Sequence, residues 1–298
     1  MRLAYERHGE GDTVILLHAF PLNRSMWLDV ATRLSSEYSV ILPDLRGFGE
    51  SPIGDEKVIS VDTMADDVAE LIDELKIETP VMIGGISMGG YVALSLAIRR
   101  PELLKALILV DSRAGGDSAE AAERRERLAQ IVESEDSSES VVAAMLPQLF
   151  CMETYKERPE IVARIRDMMA KTNPKSIAAT LRGLATRPDR TAALPNVETP
   201  TLVVVGVADV LTPPAESLLF ARTLPKSRYA KLEHAGHLSP LENPDDFYRV
   251  LHDFLFIYSP PSGLEFGEFE PGKPMVFGVP DDESLLNLDH EYGQGKDK

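Results

Sequence analysis

The chain has 298 residues, 44% of them hydrophobic and 27% charged, which is enough apolar material for a sizeable core with the balance of a globular protein. Its formal net charge of −17 opposes binding to nucleic acid or to an anionic membrane surface. A single cysteine, Cys151, excludes an internal disulfide, no run reaches the roughly 18 apolar residues of a membrane span, and residues 1–6 form no apolar signal segment, so a reducing cytoplasm is the expected location.

In chain order, residues 14–17, 40–42, 81–83 and 106–110 are short apolar runs bounded by Gly, Pro or Asp, as expected for strands buried on both faces. Residues 25–35, 61–75 and 91–100 between them read as helices. The alternation predicts an α/β fold with a mostly parallel central sheet and right-handed crossovers. It stops at Asp111. From 112 to about 190 every stretch reads as helical: 119–133, 138–150, 159–171 and 175–186. A strand returns at 201–206, then a helix at 215–223, a last strand at 228–232 and a closing helix at 245–256. Residues 1–111 and 191–256 are thus expected to form one discontinuous core. Residues 112–190 would be an all-helical cap over the carboxyl ends of the strands.

Residues 257–298 differ in kind. Nine acids against three bases give them −6 of the −17, and they carry five prolines, a composition of solvated or extended chain. Phe266, Phe269, Met275, Val276 and Phe277 are more apolar than a linker needs. Docking on the chain's own body or on a second subunit, giving a homo-oligomer, is the expectation.

The most specific signal is Gly85-Ile86-Ser87-Met88-Gly89, between the strand at 81–83 and a helix. A serine on a sharp strand-to-helix turn needs small neighbours, and the turn lifts its hydroxyl above the sheet at a helix N-terminus. A serine hydroxyl is neutral at physiological pH, so it needs a base, and the base needs an acid to orient it. With this elbow the chain order is Ser, then Asp or Glu, then His. Asp209, in the loop after strand 201–206, is the expected acid; Asp111, at the end of the strand before the helical stretch, is its rival. His237, in Gly236-His237-Leu238-Ser239-Pro240-Leu241-Glu242-Asn243-Pro244, is the expected base, with His234 a loop hydrogen-bonder three residues away.

Attack by serine leaves an oxyanion, and fixed backbone N–H groups stabilise it best. Met88 N, just after the nucleophile, is one expected donor. Phe20 N in His18-Ala19-Phe20-Pro21-Leu22 is the other, since Pro21 has no N–H. His18 then reads as a scaffold of that loop. Trp27 and Phe20 are expected pocket walls, although Trp27 fits a core position equally. Met145, Leu146, Leu149 and Phe150 are expected to add an apolar lining from one cap helix. No His/Cys/Asp cluster has metal-ligand spacing, so neither metal nor cofactor is expected. Asp44-Leu45-Arg46-Gly47-Phe48-Gly49-Glu50-Ser51 lacks the Gly-Lys of a phosphate loop and reads as a turn braced by Asp44 and Arg46.

Together, the Ser87 elbow, His18-Ala19-Phe20-Pro21, the Asp44–Ser51 turn, the Asp209 loop and Gly236-His237 resemble the α/β-hydrolase family, in its capped carboxylesterase and lactonase branch. The likeness spans residues 14–256 and is nearest to 3-oxoadipate enol-lactonases and pimeloyl-carrier-protein methyl ester esterases. It implies an α/β-hydrolase fold with a helical cap, and hydrolysis of a small carboxylic ester or lactone through an acyl-enzyme on a Ser87–His237–Asp209 triad. Ala19 departs from the glycine that relatives often carry. Serine at the elbow argues against the dehalogenases and epoxide hydrolases of this fold, which use aspartate. Perhydrolase or C–C bond hydrolase chemistry on the same triad, or a silent binding protein on the same scaffold, are the alternatives.

Overall fold

The computed structural model describes residues 1–260. The expected extension over 257–298 therefore lies almost wholly outside the described residues. Its first residues, to Tyr258, belong instead to the closing helix.

Seven strands form one sheet: β1 (Tyr5–His8), β2 (Thr13–Leu17), β3 (Ser39–Pro43), β4 (Val81–Ile86), β5 (Leu104–Val110), β6 (Thr201–Gly206) and β7 (Ser227–Leu232). Their order is β1-β3-β2-β4-β5-β6-β7. All neighbours run parallel except β1, which pairs antiparallel with β3 from Tyr5 opposite Pro43 to His8 opposite Val40. β2 to β6 are buried along nearly their whole length, which is why they appear in the sequence as unbroken apolar runs. β1, Tyr-Glu-Arg-His, was not among the expected strands. As a half-exposed edge strand of four residues it needs no apolar run, so nothing marks it.

α1 (Leu28–Leu34) crosses from β2 to β3, α2 (Val61–Glu74) leads into β4, and α3 (Met88–Arg99) crosses from β4 to β5. Because β3 and β5 lie on opposite sides of the β2–β4 pair, right-handed crossovers put α1 and α3 on opposite faces. The stretch expected as one helix over 25–35 begins as a 3-10 turn, Arg24–Trp27, capped by Asn23, whose side chain accepts from Ser25 N.

Between β5 and β6 no strand occurs among the described residues, and the α-helices are α4 (Ala119–Glu135), α5 (Glu139–Met145), α6 (Met152–Glu157), α7 (Pro159–Lys171) and α8 (Pro174–Ala185). The helix expected over 138–150 ends at Met145. A 3-10 turn, Leu146–Gln148, follows, because Pro147 cannot continue the ladder of hydrogen bonds. Met145, Leu149 and Phe150 therefore do not line one helix face as expected. α4 and α8 pack side by side, and Arg182 bridges Glu126 and Glu133 between them. At the base of the insertion the covered side chain of Asp117 is gripped by Arg113, Arg125 and Arg187, which ties residues 113–125 to the chain just after α8.

After β6 come α9 (Pro214–Thr223), β7, α10 (Ser239–Glu242) and α11 (Pro244–Tyr258). α11 lies on α1 and on β5 and β7. Among the described residues no helix is long and apolar enough to cross a membrane.

Candidate active site

The carboxyl ends of β4, β5, β6 and β7 are in near register: Ile86 pairs with Val110, Val110 with Val204, and Gly206 with Leu232. Loops leaving these ends carry Ser87, Asp111, Asp209 and His237 side by side. Ser87 is the N-cap of α3, with φ 51° and ψ −114°, a left-handed-side conformation that non-glycine residues rarely adopt. What forces it is crowding. A Cβ on Gly85 would lie 2.1 Å from Gly89 C, and one on Gly89 would lie 2.3 Å from Leu17 O. The strand and helix thus nearly touch, and the turn is pinned by Ser87 N donating to Val110 O (2.9 Å) and Ser112 Oγ donating to Ser87 O (3.1 Å).

Ser87 Oγ lies 2.9 Å from His237 Nε2, and His237 Nδ1 lies 2.9 Å from Asp209 Oδ2. The carboxylate is filled on all sides: Oδ1 accepts from Leu211 N (2.8 Å) and Thr212 N (3.0 Å), and Oδ2 also accepts from Thr212 Oγ1 (2.5 Å). With Oδ2 as acceptor, Nδ1 carries the imidazole proton and Nε2 is free to accept one from Ser87. Burial alone would push the Asp209 carboxyl up, but the His237 charge and the donated hydrogen bonds outweigh it and hold the carboxyl below its ordinary value. Burial would likewise push His237 down, yet the charge and hydrogen bond of Asp209 above all, then Glu242, outweigh it, and the imidazole titrates above its ordinary value.

Asp111 stands apart from this chain of bonds. It is fully buried at φ 43°, and accepts from Gly206 N (2.8 Å), Ser239 N (3.2 Å) and Ser239 Oγ (2.6 Å). Burial, then the charge of Asp209, push its carboxyl well above the carboxylate range. It fastens the β5, β6 and His237 loops together, and Asp209 is the carboxylate that meets His237. His234 is 77% exposed and pairs with Glu153 (2.7 Å) rather than with Ser87.

The loop after β2 is built on a buried His18. Its Nδ1 meets Ala19 O (2.9 Å) and its Nε2 accepts from Leu45 N (2.9 Å), which fixes the ring as a brace. Burial lowers its pKa, which favours the neutral ring those two contacts need. Leu22 N closes the turn onto Ala19 O (2.8 Å), which leaves Phe20 N outside the turn's hydrogen bonds. Met88 N, at the first position of α3, is one of the helix's orphan donors. The insertion reaches this loop too, through Thr172 Oγ1 to Pro21 O (2.8 Å). Asp44 braces the following turn, as expected, by accepting from Arg24 N and Glu50 N at 2.8 Å each, but Arg46 turns away to pair with Asp67 on α2.

Of the residues expected to wall a pocket, Trp27 is in the core: it is fully buried, with its ring 5.8 Å from that of Phe247 on α11. Phe20 is buried edge-on to Phe48. Leu149 and Phe150 are buried, and Leu149 O accepts from Leu238 N (3.1 Å), next to His237. Met145 is half-buried against the apolar core. The sequence reading passed over Thr212, Ser112, Ser239 and Glu242. Thr212, three residues after Asp209, had a signal in the Asx-turn spacing; the others are set by contacts distant in sequence.

The family model described as the alpha/beta hydrolase fold matches residues 12–244. The chain is 29% identical to the pimeloyl-[acyl-carrier protein] methyl ester esterase of Aeromonas hydrophila over 266 residues, covering 86% of this chain and 100% of that one. Among solved structures it is similar to a thermophilic esterase from Thermogutta terrifontis with malate bound. That match has 41% identity and TM-score 0.84, and covers 86% of this chain and 94% of that one. It is also similar to the enol-lactonase from Burkholderia xenovorans LB400, with 27% identity and TM-score 0.79 over 85% and 96% of the two chains.

Proposed function

Since the chain belongs to the α/β-hydrolase fold family, we propose that it is a serine hydrolase that cleaves a small carboxylic ester or lactone through an acyl-enzyme on Ser87. The observation that carries this reading is the continuous hydrogen-bonded line from Ser87 Oγ through His237 to Asp209 at the carboxyl ends of a parallel sheet.

In this mechanism Ser87 Oγ attacks the acyl carbon while His237 Nε2 takes its proton. Asp209 holds the imidazole in the right tautomer and stabilises the imidazolium. The oxyanion lies between Phe20 N and Met88 N, where the α3 N-terminus also favours negative charge. His237 returns its proton to the departing alkoxide. A water, deprotonated by the same nitrogen, then attacks the acyl carbon; the bond to Ser87 Oγ breaks, His237 gives that oxygen the proton, and the acid is released. The five helices between β5 and β6 serve as a cap that walls the acyl pocket. Relatives named as a methyl ester esterase, an esterase and an enol-lactonase favour ester and lactone carbonyls as the substrate class.

The test is a panel of p-nitrophenyl esters and lactones on purified protein, with pre-steady-state recording. Turnover with an initial burst near one equivalent, lost in Ser87→Ala, is the expected result. No turnover of any member, or equal turnover by Ser87→Ala, would overturn the reading.

A further inference from the structure

Both peptide N–H groups that flank His237 are held, directly or at one remove, by residues 149–158 of the helical insertion. On one side Leu238 N donates to Leu149 O (3.1 Å). On the other, Gly236 N donates to Glu242 Oε1 (2.8 Å), and Oε2 of the same carboxylate accepts from Cys151 N (2.7 Å) and Thr154 Oγ1 (2.8 Å). Arg158 Nη1 adds a bond to the Glu242 carbonyl (2.7 Å). The fit is close: a Cβ on Gly236 would lie 2.8 Å from Cys151 N and 2.9 Å from Phe150 C. None of these bonds reaches Ser87, Asp209 or the His237 ring, so Glu242 acts on the site through the loop.

We propose that Glu242 is a positioning residue that locks the His237 loop to the helical insertion, so that the imidazole stands within reach of Ser87 only while residues 149–158 are seated. This rests on the hydrolase reading above. The physical argument is one of satisfaction. Glu242 is buried, and all three groups bonded to its carboxylate are donors. Lifting residues 149–158 away would strand the Cys151 N–H and half of a buried carboxylate, each costly to leave unpaired. The loop and the insertion therefore move together. Two carboxylates act on His237, Asp209 from the β6 loop and, more weakly, Glu242 from α10, and each raises its pKa.

Glu242→Gln is the decisive variant. Its amide keeps the shape but has one oxygen, so an NH2 faces either Gly236 N or the Cys151–Thr154 pair, and one arm of the lock opens. The expected result is a kcat lower by about 10- to 100-fold, as for a misplaced catalytic group, with KM changed less than about threefold. The acidic limb of kcat/KM should also move to lower pH, because one of the two charges that raise His237 is gone. The imidazole titration of His237, followed by NMR, should move the same way from loss of the charge alone, so the lock itself is read from kcat. If Glu242→Gln lowers only the melting temperature and leaves kcat at its wild-type value, Glu242 is structural alone and the inference falls. Should that variant not fold, Thr154→Val opens the same arm; a loss of kcat restored by Thr154→Ser supports the lock, and no loss overturns it. If the wild-type protein hydrolyses no ester, the hydrolase reading fails instead, and hydrogen exchange of the Gly236 and Leu238 amides still decides the role of Glu242: faster exchange in Glu242→Gln supports the lock, unchanged exchange overturns it.

Discussion

At Ser87 a backbone conformation does the chemical selection. A φ of 51° on a non-glycine residue costs on the order of 1–3 kcal/mol, which the contacts of Gly85 and Gly89 with the packed strand and helix sustain. Ser87→Ala keeps that backbone and should abolish ester hydrolysis by about 10³-fold or more with an unchanged melting curve, since the groups of such a site act as a unit. The two buried aspartates separate cleanly. Asp209→Asn removes the acceptor that fixes the His237 tautomer, and kcat should fall by about 10⁴-fold. Asp111→Asn touches only the loop fasteners, and its loss should be much the smaller; a larger loss there would reassign the acid. The same geometry sets the pH profile. Only neutral imidazole can accept the serine proton, and His237 titrates above 6.5, so kcat/KM should rise with pH through a midpoint higher than 6.5. A midpoint below that value, or a flat profile, would contradict the placement of Asp209 against the ring.

At the scale of elements, the insertion meets the core at a few tight points. One is Gly183 on α8, where an added Cβ would lie 1.7 Å from Ile59 O and 2.5 Å from Ile59 C, both backbone atoms that cannot swing aside. Ile59 N donates to Ala179 O (3.0 Å), one turn earlier on the same helix. Gly183→Ala should therefore push α8 off the segment that leads into α2 and destabilise the protein by about 1–3 kcal/mol despite alanine's better helix propensity. Denaturant unfolding measures this; a stabilised variant would show that the segment yields. Exchanging the insertion for that of a related esterase should change the ranking of acyl groups in the ester panel. The basic shape of the pH profile should survive wherever the partners of Glu242 are kept.

For the molecule as a whole, what the sequence displayed was what burial makes local. Five parallel strands were legible as apolar runs because both their faces are covered; Ser87 and Asp209 each follow such a run within a few residues, whereas His237 follows the half-buried β7. β1 was hidden because an edge strand has no apolar demand. Trp27 drew attention as a possible pocket wall, but its partner Phe247 is some 220 residues away and invisible in a linear reading. Glu242 and Ser112 were unreadable for the same reason. The adjacency of β5 and β6 has a kinetic consequence. These strands pair although residues 111–200 intervene, and closing so long a flexible loop costs about 4 kcal/mol of chain entropy before any strand contact repays it. If α4 and α8 associate first, they bring residues near 118 and 186 together and shorten the effective loop about fourfold, which lowers that cost by about 1 kcal/mol. The insertion would then act as a folding chaperone in cis for the sheet it interrupts. A helix-weakening change at a buried position of α4, such as Ala129→Gly, should accordingly slow refolding by nearly the whole of its stability loss and leave the unfolding rate almost untouched.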